Sequence, residues 1–171
     1  MPNIVLVGLM GAGKTTVARL LSDRTGRERL DTDDVIEQRA GRPIPAIFAE
    51  DGEAGFRRLE AEVVCELLAA DDRILSLGGG AVTSEPVRDA LAGHRVVWLR
   101  VEPQTLIGRL DPDEVAGRPL LAGDPIATLT RLDREREPYH RSVATLTIDV
   151  DDLDPGQVAD AILSGDDGRD R

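Results

Sequence analysis

Lysine is nearly absent from this 171-residue chain: one, Lys14, stands against 20 arginines. Cysteine is as scarce. Cys65 is alone, which excludes an intramolecular disulfide. It sits in a helical pattern beside Val63 and Val64, as a buried small hydrophobe does. Aromatics make up only 2% of the chain, so the core must rest on Leu, Val, Ile and Ala. No apolar run approaches the length of a membrane span. The first residues lead straight into a strand pattern, so no signal peptide is expected. Excess positive charge is also missing. The formal net charge is −11, which weighs against nucleic acid and anionic membrane as partners. The length suits one domain over 1–171. The expectation is a cytoplasmic monomer.

What is present begins at the one lysine. An ammonium is compact and rotatable where a guanidinium is planar, so a lysine retained in an arginine-biased chain points to a special need. Lys14 lies in Gly8-Leu9-Met10-Gly11-Ala12-Gly13-Lys14-Thr15, which spells G-x-x-x-x-G-K-[ST], the phosphate-binding P-loop. The apolar run Asn3 to Val7 before it reads as a buried parallel strand. Thr15 to Leu21 after it reads as a helix start. Glycines at 8, 11 and 13 let backbone N–H groups converge on phosphate oxygens at the positive end of that helix. Lys14 is then expected to reach the β- and γ-phosphates of ATP, and the Thr15 hydroxyl to ligate Mg²⁺. The plainer alternative is a glycine-rich turn that binds nothing. The strand and helix in register favour the phosphate site.

Strand-like runs alternate with helical patterns down the chain, which argues α/β with a parallel sheet. Strands are expected at Arg29–Asp31, Arg73–Leu77, Arg95–Val101 and Thr145–Val150. Helices are expected at Asp34–Ala40, around Ile44–Phe48, at Glu53–Ala70, from Glu102-Pro103 to about Leu110, at Pro125–Glu137 and at Pro155–Leu163. Asp33 or Asp34 is a candidate cap for the first of these, and Ser84 caps a helix beginning at Glu85-Pro86. Residues 111–124 contain Pro112, Gly117, Pro119 and Gly123 with little periodicity, and read as a mobile loop. Residues 165–171 read as a frayed tail.

Ligands of parallel sheets sit at the carboxyl ends of the strands. Two further clusters fall there. Asp31-Thr32-Asp33 places two carboxylates at i, i+2, one near a metal and one near a substrate hydroxyl; a plain turn is the alternative. Gly78-Gly79-Gly80 is either a tight turn or a backbone wall that a small substrate approaches closely. Two arginine clusters, Arg57-Arg58 and Arg134 to Tyr139, read by themselves as solvated helix faces. His94 and His140 read as ordinary surface or packing residues.

Taken in order, Gly8 to Thr15, Asp31-Thr32-Asp33, Gly52-Glu53 with Phe56-Arg57 and Glu60, Leu77 to Gly80, Arg118-Pro119-Leu120-Leu121 and Arg136 to Tyr139 are more discriminating than the P-loop. Over nearly its whole length the chain resembles the shikimate kinase family. The resemblance implies a nucleoside monophosphate kinase-like fold. Its five-stranded parallel sheet has order 2-3-1-4-5, with a substrate-binding region over about 34–60 and a lid over about 111–124. It implies ATP phosphates held by Gly11, Ala12, Gly13, Lys14, Thr15 and Thr16, and adenine between Arg109 and Pro155. It implies Mg²⁺ on Thr15, with Asp31 and Ser76 contributing. It implies shikimate held by Asp33, Arg57, Gly79, Gly80 and Arg136, and Arg118 brought by the lid to the transferring phosphate. Leu153, two places before Pro155, lies among Asp151, Asp152 and Asp154.

The implied reaction is ATP plus shikimate to ADP plus 3-phosphoshikimate, a step toward chorismate and the aromatic amino acids. Lys14, Asp33 and Arg118 carry the catalytic roles. Another small-molecule kinase of the fold, such as a gluconate kinase, shares the P-loop but not a clamp of Phe56-Arg57 with Arg136. A nucleotide-dependent switch needs no small-molecule pocket.

Overall fold

Four residues of unbroken hydrophobicity make the central strand. β1 (Ile4–Val7) is buried at every position. Ile4 and Leu6 face one core cluster, and Val5 and Val7 face the other. This period-2 split means both faces are covered. β4 (Arg95–Arg100) repeats it, with Val97 and Leu99 on one side and Val96 and Trp98 on the other. β3 is Arg73–Ser76 and β5 is Leu146–Asp149. β2 (Glu28–Asp31) is the short, half-exposed edge. All pairings are parallel, in the order β2-β3-β1-β4-β5 that the family resemblance implied. The computed structural model describes residues 1–111, 113, 121 and 123–165. Most of the expected lid, with Arg118, and residues 166–171 of the tail lie outside the described residues.

Seven α-helices are described: α1 (Lys14–Thr25), α2 (Thr32–Ala40), α3 (Ile44–Leu68), α4 (Glu85–Ala90), α5 (Pro103–Arg109), α6 (Pro125–Val143) and α7 (Pro155–Ser164). Residues of α1, α5, α6 and α7 share one cluster with Ile4 and Leu6; residues of α3 and α4 share the other with Val5 and Val7. Leu21, Leu99, Leu106 and Ile162 have no exposed surface, each contributing about 1.5–3 kcal/mol of burial. A third, smaller cluster of Ile36, Ile47, Phe56 and Val63 ties α2 to α3. None of the described helices is long and apolar enough to cross a membrane.

Several element ends differ from the sequence expectation. α2 starts two residues early, at Thr32, and its cap is Asp31 rather than Asp33 or Asp34; the Asp31 side chain accepts from the Asp33 backbone N–H. Ser84 occupies an N-cap position, but its side chain makes no capping bond. The short helix at Ile44 and the long one from Glu53 join as α3 across a kink at Gly52, where φ is 72°. α6 continues through Pro138 to Val143 instead of stopping at Glu137. A proline costs the helix one hydrogen bond, but the buried stripe Leu129, Leu132, Arg136, His140 runs across it. Packing along that face outweighs the local penalty.

Asn3 joins the strand starts. It has no exposed surface. Its amide donates to the Ala70 carbonyl at 2.6 Å and accepts from the Arg73 N–H at 2.8 Å. Asn3→Ala leaves both backbone groups without these partners, at about 1–3 kcal/mol each. The expected loss is about 2–6 kcal/mol in urea denaturation with an unchanged m-value. A loss under about 0.5 kcal/mol shows the pair to be dispensable.

His140 is a packing residue, as expected, but a deeply buried one. It is 2% exposed and stacks on Trp98 with ring centroids 5.5 Å apart. Burial first, then the charges of Lys14 and Arg136, lower its pKa from 6.5 to about 3. Between those values the unfolded chain binds a proton that the fold refuses, so stability falls as pH falls through that window. From pH 7 to pH 5 the contribution lost is about 2 kcal/mol at 1.36 kcal/mol per unit. His140→Phe keeps the stacking and cannot titrate. Denaturation at both pH values should show a drop about 2 kcal/mol smaller in the variant; equal drops contradict a neutral buried imidazole.

Candidate active site

The register of the sheet brings the site together. Asp31 ends β2 opposite Ser76, which ends β3, and Ser76 in turn pairs with Leu6 of β1. One residue beyond β1 the P-loop begins. Gly8 has φ of 144°, and a side chain there would meet the Leu99 carbonyl oxygen at 2.6 Å. Only glycine lets the loop leave the sheet at this angle. The loop ends at Gly13, the N-cap of α1, so the helix N-terminus points its free N–H groups into the space above the strands.

Lys14 is 8% exposed. Its ammonium curls over its own loop and donates to the carbonyls of Gly8 at 2.8 Å and Leu9 at 2.9 Å. The Thr15 hydroxyl donates to Asp31 Oδ2 at 2.8 Å, while Asp31 Oδ1 accepts from the Asp33 N–H at 3.0 Å. One carboxylate thus links the start of α1 to the start of α2. A cavity of about 280 Å³ is lined by Gly11, Gly13, Lys14, Thr15, Thr16, Asp31, Asp33, Ser76, Gly79 and Arg109, among others. Beside it lies a second of about 210 Å³, with Ala12, Arg109, Leu153 and Pro155 in its wall. Arg109 is fixed between the two by bonds to the carbonyls of Val150 at 2.8 Å and Asp151 at 3.1 Å.

The glycine triplet is a wall with charged groups pressed against it. A Cβ on Gly80 would lie 2.3–2.5 Å from the Arg57 guanidinium. One on Gly79 would lie 3.4 Å from Arg136 Nη1. One on Gly78 would lie 2.6 Å from Glu60 Oε1 and 3.0 Å from Asp33 Oδ1. Residues as far apart in sequence as Asp33 and Arg136 therefore meet at three consecutive backbone units. Arg57 pairs with Glu60 at 2.6 Å and reaches Glu53 at 3.9 Å. Arg136 is 4% exposed and has no carboxylate within ion-pair distance among the described residues. Burial, then repulsion by Arg57, lowers its pKa from 12.5 to about 10. At neutral pH it stays charged, and a buried cation of this kind favours an anionic ligand. Arg57 and Arg136 line a third cavity, of about 490 Å³, together with Glu53, Arg131 and Tyr139.

All the expected site residues except Arg118, which lies outside the described ones, are therefore grouped around these cavities and the glycine wall. Two residues carry weight that sequence reasoning gave them no role for. Glu60 is 1% exposed, and its Oε1 has no hydrogen-bond partner among the described residues. Burial raises its pKa against the opposing pull of Arg57 and Arg136. The signal was available: Glu60 falls on the apolar stripe Phe56, Val63, Leu67, where a carboxylate needs a reason. Thr32 has no exposed surface, and its hydroxyl accepts from the Gly78 N–H at 3.0 Å. That bond ties the glycine wall to the acidic segment.

The residues able to hold a divalent metal are oxygen donors: the Thr15 hydroxyl, Asp31 and Ser76. No group of three or more His, Cys, Asp or Glu that could hold a metal occurs among the described residues. A hydroxyl and one carboxylate beside a phosphate cradle fit Mg²⁺, which takes its other ligands from water and phosphate.

Comparison with known proteins agrees with this geometry. A family model described as Shikimate kinase matches residues 10–165. A shikimate kinase of Thermobifida fusca is 50% identical over 161 residues, 94% of this chain and 92% of that protein. One of Mycobacterium tuberculosis is 51% identical over 164 residues, 95% of this chain and 92% of that protein. A solved shikimate kinase from Acinetobacter baumannii, in complex with shikimate, superposes with a TM-score of 0.91 at 42% identity, covering 96% of this chain and 92% of that one. A gluconokinase from Sinorhizobium meliloti shares the fold at 16% identity and a TM-score of 0.63. With the P-loop, the acidic pair and the two arginines on one glycine wall, the chain belongs to the shikimate kinase family.

Proposed function

We propose that this chain transfers the γ-phosphoryl group of ATP to the 3-hydroxyl of shikimate, giving 3-phosphoshikimate and ADP on the route to aromatic amino acids. The observation that carries the acceptor is the pair of guanidinium groups against Gly79 and Gly80. A guanidinium fork matches a planar carboxylate with two parallel hydrogen bonds. Arg57 and Arg136 grip the substrate carboxylate there, and the N–H groups of Gly79 and Gly80 hold the ring. This grip presents the far side of the ring to Asp33, which lines the phosphate cavity.

Phosphoryl transfer needs positioning and charge compensation more than covalent help. The P-loop N–H groups and α1 hold the phosphates. Lys14 leaves the carbonyls of Gly8 and Leu9 for the phosphate oxygens, exchanging two neutral acceptors for charged ones. Asp33 aligns the hydroxyl and accepts its proton. Thr15, Asp31 and Ser76 would hold Mg²⁺, which when bound neutralises charge on the phosphates. Arg109 and Pro155 flank the base. Arg118 compensates charge on the moving group, a role that rests on its motif alone. A lid over about 111–124 excludes water. A single domain, a monomeric state, cytoplasmic location and the absence of nucleic-acid or membrane partners belong to the same proposal and rest on the sequence.

The decisive experiment is shikimate-dependent ADP release by the purified chain, with the product's phosphate located by NMR. Release that ignores shikimate, or that gluconate stimulates instead, defeats the proposal. Lys14→Arg keeps the charge but not the shape, and should be nearly inactive; normal turnover removes Lys14 from the phosphate site.

The clamp has its own test. Removing one partner from a buried charged contact costs roughly 2–5 kcal/mol, or about 30- to 5000-fold in affinity. Arg57→Ala and Arg136→Ala should each weaken shikimate by such a factor, with MgADP affinity little changed. The double variant should lose less than the two losses combined. A shikimate amide that binds the wild type as well as the acid does rules the clamp out.

A further inference from the structure

The cavity beside the P-loop differs from the phosphate cavity in what its walls offer. It shares Gly11, Gly13, Thr16 and Arg109 with that cavity, so a base attached to phosphates in one is led into the other. Its remaining wall is Val17, Val150, Leu153, Pro155 and Val158 with Ala12. Among the described residues no carboxylate lines it, although Asp149, Asp151, Asp152 and Asp154 are close in sequence.

Each of three of these carboxylates has other work. Asp149 takes the Arg100 guanidinium through both oxygens. Asp151 accepts from the Glu102 N–H at 3.1 Å. Asp154 closes a capping box with Gln157 at the start of α7. Part of the turn's backbone is occupied as well. The Val150 carbonyl accepts from Arg109 at 2.8 Å and from the Leu153 N–H at 3.4 Å. The Asp151 carbonyl accepts from Arg109 at 3.1 Å. The Asp154 N–H is bound to Gln157, and Pro155 has none to give. Among the described residues, the side chains this wall presents to a base are mostly hydrocarbon, and Leu153, one of them, packs on the main core.

Purines differ at their hydrogen-bonding edges: guanine carries an O6 acceptor and an N2 amino donor where adenine carries an N6 amino donor. A site that pairs such groups rejects the wrong partner by 10⁴ or more, while an apolar pocket discriminates by only about 10- to 200-fold. We propose that Leu153 makes the nucleotide site of this chain weakly selective among purines, binding the base by apolar contact instead of reading its edge. The inference rests on the proposed function in taking the base of the phosphoryl donor to lie in this cavity.

The test is calorimetric titration of the full chain with ADP, GDP and IDP in the presence of Mg²⁺. The dissociation constants should fall within about 200-fold of one another; a wider spread overturns the proposal. Leu153→Ala should weaken all three by a similar factor, roughly tenfold, equivalent to about 1.4 kcal/mol of lost contact. Weakening of ADP alone overturns it. Leu153→Val, a smaller truncation, should shift all three in the same direction and by less, and serves if the alanine variant is unstable. Binding is read without turnover. Equal diphosphate affinities with no shikimate-dependent ADP release therefore uphold this inference while sinking the acceptor assignment, and selective ADP binding with normal turnover does the reverse.

Discussion

A guanidinium fills the space that any side chain at residue 80 would need. That contact, Arg57 against Gly80, fixes much else. Arg57 can sit there only because Glu60, one helical turn on, takes its Nη1 at 2.6 Å. Glu60 can be buried only because two guanidinium groups offset its lost hydration, and its raised pKa shows that burial still exerts the larger effect. Gly78 must lack a side chain because Glu60 and Asp33 come up beneath it. Arg136 completes the arrangement from α6. Removing one charge from this set leaves the others unbalanced in a poorly hydrated place, which costs more than a surface pair would.

The two halves of the site are joined by short side chains. Asp31 receives Thr15 on one oxygen and caps α2 with the other. Thr32 then holds Gly78, so the phosphate loop, the acidic segment and the glycine wall form one hydrogen-bonded chain across three strand ends. Parallel register makes this possible: with Asp31 opposite Ser76 and Ser76 opposite Leu6, the three loops leave the sheet at the same height.

Much of this was legible in the residues. β1 and the P-loop announced themselves, because a buried strand, spaced glycines and one lysine in register fit a phosphate site and little else. The strand order came through the resemblance, since hydrophobic periodicity says nothing about which strands are neighbours. What escaped was nonlocal. That Asp31 caps α2 depends on where the sheet ends, not on the identities of Asp33 and Asp34. That α6 passes through Pro138 depends on the surface it packs against. Glu60 looked like one more charge on a helix because its burial against Gly78 and near Arg136 depends on residues distant in sequence. The fate of the acidic turn near Leu153 was equally hidden, since each aspartate that the turn engages has a different neighbour.

The bias of arginine over lysine now has a physical meaning at one position at least. Burial lowers the Arg136 pKa to about 10, which still leaves it charged at neutral pH. A lysine begins near 10.4, about two units lower than arginine. The same burial would bring it close to neutral pH, where a small further loss of hydration would discharge it. Arginine tolerates burial and keeps its charge, which is what the proposed carboxylate clamp requires. Lys14 faces the opposite demand. In the proposed reaction it gives up the carbonyls of Gly8 and Leu9 and turns to phosphate oxygens, and a rotatable ammonium with three equivalent donors does this where a rigid fork cannot.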